Sequence, residues 1–121
     1  MAHLPGTADE IRARIPAVLE THEFIRDNVL RAGVVEQRLK DLCFRFLADE
    51  DVEPGDERER AALDWAFAIA WDSDRSDDDL WERLHAQFTE EELVDLGCAI
   101  GFELGRRHFE RTLGLQPEPT N

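Results

Sequence analysis

Helix-start signals constrain this chain more than any other feature of its sequence. In each of them a hydroxyl side chain stands three residues before a carboxylate, as in Thr7–Glu10, Ser76–Asp79 and Thr89–Glu92. At this spacing the hydroxyl oxygen accepts a hydrogen bond from an unpaired backbone amide, and a Thr–Glu pair fits the reciprocal capping box. The sequence therefore predicts that a helix begins directly after each signal.

The apolar residues between these signals recur at steps of three and four, which is the period of an amphipathic helix. Pro16 interrupts the first pattern, and its missing amide predicts a short helix before it and a second helix starting there. This first seam, within about Ala8–Ala32, comprises Ile11, Ile15, Val18, His22, Ile25 and Val29. Further helices are predicted at about Val35–Ala48, Asp56–Trp71, Asp77–Phe88 and Glu90–Leu113. The sequence thus predicts an all-α bundle of about five to six helices.

The length and composition fit one domain, since 121 residues with 42% apolar side chains can bury a core of their own. Gly33 and Gly114 follow apolar periodic runs, as the C-terminal caps of helices do. We predict a single helical domain over residues 1–115. Residues 116–121, which include Pro117 and Pro119, are predicted to form a flexible tail.

The charge of the chain excludes several partners. Its 28 acidic and 14 basic residues give a net charge of -14, which repels nucleic acid and anionic membrane surfaces. No apolar stretch is long enough to cross a membrane, and the N-terminus does not have the pattern of a secretory signal. With two isolated cysteines, these features predict a cytoplasmic protein with free thiols. The acidic runs at 49–59 and 72–82 indicate solvated linkers and helix starts, or alternatively a surface for a basic protein partner.

Several short segments between about Ala32 and Leu115 occur in a characteristic order and spacing. This order and spacing, over about Ala32–Leu115, resembles the carboxymuconolactone decarboxylase and alkylhydroperoxidase D family. The segments are Ala32–Val35, Arg38–Leu42, Glu57–Leu63 with Trp65, Ser76–Leu84, Phe88–Leu96, Gly101–Phe102 and Leu113–Leu115. The resemblance implies an all-α fold that buries apolar helices partly against other subunits of the same chain. It also implies either a decarboxylase or a thiol-dependent hydroperoxide reductase.

The chain departs from the family at the redox motif. The resemblance would place a C-x-x-C pair, followed four residues later by His, after the helix that contains Arg38–Leu47. Here an acidic linker follows instead, which indicates that the active-site helix is deleted and excludes hydroperoxide reduction by that mechanism. The position of the family's proton-relay carboxylate matches Asp41. The residues alone also allow a solvated Asp41 that pairs with Arg38 or Arg45 at helical spacing.

Two histidines and two cysteines are the remaining candidates for chemistry. His22 lies on the first apolar seam, and His108 continues the face of the last helix that carries Gly101; each is either a buried structural residue or a general base. With Asp41 they are the candidate catalytic residues. Cys43, Cys98, Gly101 and Glu103 are the candidate pocket residues. Alternatively, the cysteines are small apolar core residues, and Glu103 forms a salt bridge with Arg107 at the rim.

Glycines repeat every four residues in the last helix, at Gly97, Gly101 and Gly105. Because each lowers helix propensity by roughly 1 kcal/mol relative to Ala, another factor must favour them. We expect the close approach of another helix, with space for a ligand as the alternative.

The sequence has no phosphate-binding loop, nucleophile elbow or zinc spacing, and its single E-x-x-H at Glu82–His85 falls short of a di-iron site, so we expect no metal and no cofactor. The favoured hypothesis is a homo-oligomeric, small-molecule-binding or regulatory protein without thiol peroxidase chemistry. One alternative is an acid–base enzyme of the decarboxylase or lyase type, which uses His and Asp in a pocket at a subunit interface. The other is an acidic protein-interaction module.

Overall fold

The computed structural model describes residues 2–115, and these residues form an all-helical bundle, as predicted. The α-helices are α1 (Ala8–Arg12), α2 (Pro16–Ile25), α3 (Gln37–Leu47), α4 (Glu57–Trp71), α5 (Asp78–Gln87) and α6 (Glu90–Thr112). A π-helical turn (Arg26–Leu30) extends α2, and a 3-10 turn (Ser73–Arg75) follows α4. No helix in this part of the chain is long and apolar enough to cross a membrane. The predicted tail at 116–121 lies outside the described residues.

The helix caps agree with the sequence at two of the three signals. Thr7 and Thr89 each form the complete capping box, with the hydroxyl oxygen 3.2 Å from the amide nitrogen of Glu10 and Glu92 respectively. The prediction for Ser76 is wrong by one residue, since Asp77 caps α5. The Ser76 hydroxyl donates instead to the carbonyl of Ser73, 2.6 Å away, which holds it in the preceding 3-10 turn.

The core lies where α4 packs against α3, α5 and α6. Its fully buried apolar residues come from all four helices and include Cys43, Phe44, Ala62, Ala66, Leu84, Leu96, Ala99 and Ile100. Gly97 permits the approach of α6 to α4, because a Cβ atom at this position would lie 2.6 Å from Cη2 of Trp65. The prediction that the glycines serve packing thus holds for Gly97. At Gly101 and Gly105, by contrast, a Cβ atom would meet no atom within 4 Å.

The first apolar seam is not a continuous core stripe, contrary to prediction. Ile11 is buried, but Ile15 and Val18 are 60% and 48% exposed. Ile15 has extended backbone angles and forms the N-cap of α2, so the helical phase restarts at Pro16. The register built up in α1 is therefore lost, and part of the α2 apolar face points outward.

A buried ionic group joins α3, α6 and the loop between the π-helical turn and α3. The Nζ of Lys40 is fully buried, donates to the carbonyls of Val29 and Ala32, and lies 2.8 Å from Oδ1 of Asp95. The other oxygen of Asp95 accepts hydrogen bonds from the amides of Val34 and Val35 at 2.9 and 2.8 Å. We call these residues the Lys40 cluster; it holds the loop against α6.

The Lys40 cluster requires a glycine at position 33. Its φ of +112° lies in the region that only glycine adopts readily, and a Cβ atom there would lie 2.5 Å from Oδ1 of Asp95. The predicted helix cap at Gly33 is wrong in position, since Arg31 is the C-cap of the π-helical turn and Gly33 lies in the loop beyond it. There its missing side chain makes room for the Lys40–Asp95 ion pair.

Candidate functional site

A pocket of about 460 Å³ opens between α2 and α6. This volume is in the range of sites for small organic molecules. The residues that line it come from three helices and the π-helical turn: Arg12, Ala17, Val18, Thr21, His22, Ile25, Leu30, Phe102, Gly105, Arg106 and Phe109. Most of the wall is apolar, so an occupant would gain chiefly from leaving water.

The space for this pocket has two local causes. The phase change at Pro16 turns Val18 toward the pocket rather than into the core. Val18 lines the pocket together with Phe102 and Phe109 of α6. Gly105 contributes no side chain, and nothing lies within 4 Å of the position of a Cβ atom. The part of the glycine ridge at Gly105 therefore lines a cavity rather than a helix–helix contact.

A network of charged side chains lies directly behind the pocket wall. Glu103 and Glu110 are 0% and 1% exposed, although both are carboxylates. Arg106 donates to both oxygens of Glu103, at 2.8 and 2.7 Å, and to Glu110 at 3.1 Å. Arg107 donates from Nε to Glu103 at 3.0 Å. Each buried carboxylate thus has guanidinium partners, which offset the desolvation penalty of burying it.

Arg12 extends this network to α1. Its side chain is 6% exposed, and its Nη2 donates to Oε2 of Glu110 at 2.9 Å, across 98 positions of sequence. Arg12 and Arg106 line the pocket, whereas Glu103 and Glu110 do not. We call Arg12, Glu103, Arg106, Arg107 and Glu110 the Arg12 cluster.

His22 is the one predicted catalytic residue that lines the pocket. Its side chain is 17% exposed, and its Nε2 lies 4.0 Å from Oδ1 of Asp9. Burial lowers the pKa of this imidazole below its usual value of 6.5, and the neighbouring Arg12 guanidinium lowers it further. His22 is therefore neutral at pH 7, and each of its ring nitrogens can make one hydrogen bond to an occupant.

Asp41 and His108 are not among the residues that line this pocket. Asp41 accepts a hydrogen bond from the Gln37 amide at 3.0 Å on α3, and Arg38 pairs with Glu59 instead, at 3.4 Å. His108 is exposed on the outer face of α6. The structure therefore does not bring His22, Asp41 and His108 together around one cavity.

The predicted pocket residues are distributed over different surroundings. Cys43 is fully buried in the core, where burial raises its pKa to about 12, and Cys98 is exposed; both are free thiols. Cys98 borders a shallow apolar groove with Val34 and Val94. The predicted ion pair of Glu103 with Arg107 exists, but it is buried rather than at the rim.

The sequence interpretation missed Arg12, Arg106 and Glu110. A signal for one of them, Glu110, was present in the spacing of α6. The core positions Leu93, Leu96 and Ile100 continue at steps of three and four to 103, 107 and 110. Charged residues at positions that the helical period assigns to the core indicate a buried ionic network. Nothing in the local sequence indicates that Arg12, almost one hundred residues away, completes it.

A larger cavity of about 530 Å³ lies between α4, α5 and the linker before α4, but its chemistry is less specific. Its wall carries three arginines and three aspartates, largely at exposed positions. Arg83 pairs with Asp64 at 2.7 Å, and the Arg75 guanidinium lies 4.7 Å from the ring centre of Phe67. Most of these charged side chains are exposed, and solvent screens their charge, so they would contribute little to the selective binding of a ligand.

Comparisons of the chain with protein-family models, with curated proteins and with solved structures find no match.

Proposed function

We propose that this protein is an oligomeric, small-molecule-binding protein of the carboxymuconolactone decarboxylase-like kind, without thiol peroxidase chemistry. Its binding site is the pocket between α2 and α6. The observation that carries the proposal is an apolar pocket of ligand size whose wall is backed by a buried, hydrogen-bonded ionic network. Such a network holds the pocket wall in one arrangement before a ligand arrives, which lowers the entropy lost on binding.

The thiols support the part of the proposal that excludes peroxidase chemistry. A thiol peroxidase needs an accessible, low-pKa cysteine with a second thiol in reach. Cys43 has the opposite properties, since it is fully buried and its pKa is raised to about 12. It therefore cannot act as the partner of Cys98 in such a reaction.

The apolar surface around the pocket supports the oligomer. Val34, Val94, Phe102 and Phe109 are each 44% exposed or more, and Phe102 borders both the pocket and the adjoining groove. Contiguous apolar surfaces of this kind are uncommon on monomers. A second copy is the expected occupant, because this surface is mainly apolar, and Asp95, one of the two acids in its groove, is already paired with Lys40. Light scattering tests this, with a dimer or larger oligomer expected and a monomer contradicting it.

The pocket itself is tested by NMR chemical-shift mapping on the whole chain. A neutral apolar probe, cyclohexylmethanol, is expected to shift the backbone amides of Thr21, His22 and Gly105. Gly105→Leu should abolish these shifts, because its side chain fills the pocket without meeting existing atoms.

Gly101→Leu is the matched control. It makes the same change at a helical glycine that also faces open space but does not line the pocket. It should leave binding unchanged. Equal binding by both variants, or shifts confined to other residues, would remove the pocket from the proposal.

A further inference from the structure

The polar part of the pocket wall carries only groups that are cationic or can become so, apart from one hydroxyl. Among residues 2–115, the polar side chains that line it are those of Arg12, Arg106, His22 and Thr21, and no carboxylate of this part of the chain does. The Thr21 hydroxyl donates to the carbonyl of Ala17 at 2.8 Å. In a chain of net charge -14, a ligand-sized cavity walled by guanidinium groups is a local reversal of the average charge.

The network of charged side chains behind the pocket wall preserves this local positive charge. Within residues 2–115, the three guanidinium groups of Arg12, Arg106 and Arg107 pair with the two buried carboxylates of Glu103 and Glu110, so these five side chains together carry one more positive than negative charge. The further acid near Arg12 is Asp9, whose side chain is 52% exposed and 3.9 Å away. Water screens a carboxylate at that exposure, so it offsets the buried charge only in part.

The atom of the pocket wall that is placed to contact an anionic ligand is Nη1 of Arg12. Its side chain is 6% exposed, and its Nη2 is bonded to Glu110. Its Nη1 lies 3.9 Å from Asp9, beyond hydrogen-bond distance, and donates to no other residue within 2–115. A guanidinium that is more than nine-tenths buried, lines a cavity and makes only a long ion pair with a half-exposed carboxylate at one edge is prepared to bind an anionic oxygen there.

We infer that the ligand of this pocket is an apolar monocarboxylic acid, bound as its anion. The carboxylate meets the Nη1 edge of Arg12, and the hydrocarbon body lies against Val18, Ile25, Phe102 and Phe109. This inference rests on the proposed binding function and adds the chemical class of the ligand. A neutral imidazole at His22 accommodates the second carboxylate oxygen as a hydrogen-bond donor.

The test compares three probes that share one ring: cyclohexanecarboxylate, cyclohexanecarboxamide and cyclohexylmethanol. Calorimetric titration of the wild-type protein at pH 7 is expected to give the carboxylate an affinity about tenfold or more above that of the amide, because its hydrogen bond is charge-assisted. The side-chain NMR signal of Arg12 should shift with the carboxylate and not with the amide. Both measurements use the wild-type chain, so they stand even if a variant fails to fold.

Variants then assign the preference to one residue. Arg12→Gln is expected to bring the affinities for the carboxylate and the amide to within about threefold of each other. Arg111→Gln removes the same charge from an exposed position of α6 outside the pocket and should keep the preference.

The failures are distinguishable. If no probe binds, the proposed function itself is wrong. If the amide and the alcohol bind as tightly as the carboxylate, the pocket stands and the carboxylate inference is overturned. The inference is also overturned if Arg111→Gln reduces the preference as much as Arg12→Gln does, since the general field of the protein would then be its cause.

Discussion

The Lys40 cluster and the Arg12 cluster are both buried ionic groups, yet they differ in what completes them. Lys40 donates to two backbone carbonyls and to Asp95, and Asp95 accepts from two backbone amides. The hydrogen bonds that join the Arg12 cluster within residues 2–115 run between side chains, and the cluster borders a cavity. The comparison indicates that a charged group bonded to the backbone has its hydrogen-bonding capacity taken up by the fold. A charged group held by other side chains can keep one hydrogen-bonding edge open to a ligand.

The largest expected effect comes from Lys40→Met. It leaves the Asp95 carboxylate without its cation and two carbonyls without a donor, so we expect the free energy of unfolding to fall by about 3–5 kcal/mol. Urea denaturation followed by circular dichroism measures this. Arg38→Met is the control on the same helix, because its side chain is 84% exposed, and we expect a change below about 0.5 kcal/mol.

Gly33→Ala attacks the same cluster from the backbone. The new Cβ atom would lie 2.5 Å from Asp95, at a φ of +112°, so we expect a loss of about 2 kcal/mol or more. Gly101→Ala, at a helical glycine that faces open space, should instead raise stability by up to about 1 kcal/mol. Denaturation curves in which the two substitutions behave alike would contradict the role given to Gly33.

Arg12→Gln should affect stability less than either change to the Lys40 cluster. Glu110 keeps its bonds to Arg106, so we expect a loss of about 1.5 kcal/mol in the same urea experiment. The exposed Arg14, which donates to the carbonyl of Pro5, provides the control Arg14→Gln. A loss from Arg12→Gln as large as that from Lys40→Met would mean that the Arg12 cluster is as fully used for structure as the Lys40 cluster.

The smallest expected effect is a dependence of stability on pH through His22. Its pKa is lowered in the folded protein by burial first and by Arg12 next, while Asp9 and Glu110 partly oppose this and Arg106 adds to it. The unfolded chain therefore binds the proton first, and the contribution of His22 is full above about pH 6.5 and is lost as the pH falls through the folded-state value.

His22→Asn should flatten this part of the stability profile. His108→Gln, which removes an imidazole from the exposed face of α6, should not. Unfolding free energies measured from about pH 5 to 8 decide between them. A wild-type profile that gains stability on acidification in this range would contradict the direction given for His22.

The helices could be predicted closely because their signals are local. The Thr7 and Thr89 capping boxes, the break at Pro16 and the positive φ of Gly114 after the end of α6 each depend on residues within a few positions of one another. The cap of α5 was missed by one residue because two side chains, Ser76 and Asp77, competed for it, and only the structure shows that Ser76 is bonded elsewhere.

The candidate site could be predicted only in part because its contacts are long-range. His22 was identified from its place on the apolar seam, but that seam restarts at Pro16, and the restart turns it toward a pocket. The hydrogen bond between Arg12 and Glu110 joins residues that are 98 positions apart in sequence, and no periodic pattern predicts such a contact. Asp41 was chosen from a resemblance, and its actual partner is the neighbouring Gln37.

Because one cysteine is exposed and the other is buried, labelling of the thiols reports whether the core of the protein has opened. A thiol-specific reagent added to the folded protein has access to Cys98, whereas Cys43 is enclosed in the core and its pKa of about 12 keeps it protonated. A molecule labelled once has stayed closed during exposure to the reagent, and a molecule labelled twice has opened its core. Mass spectrometry can therefore count opening events in the unmodified chain, molecule by molecule.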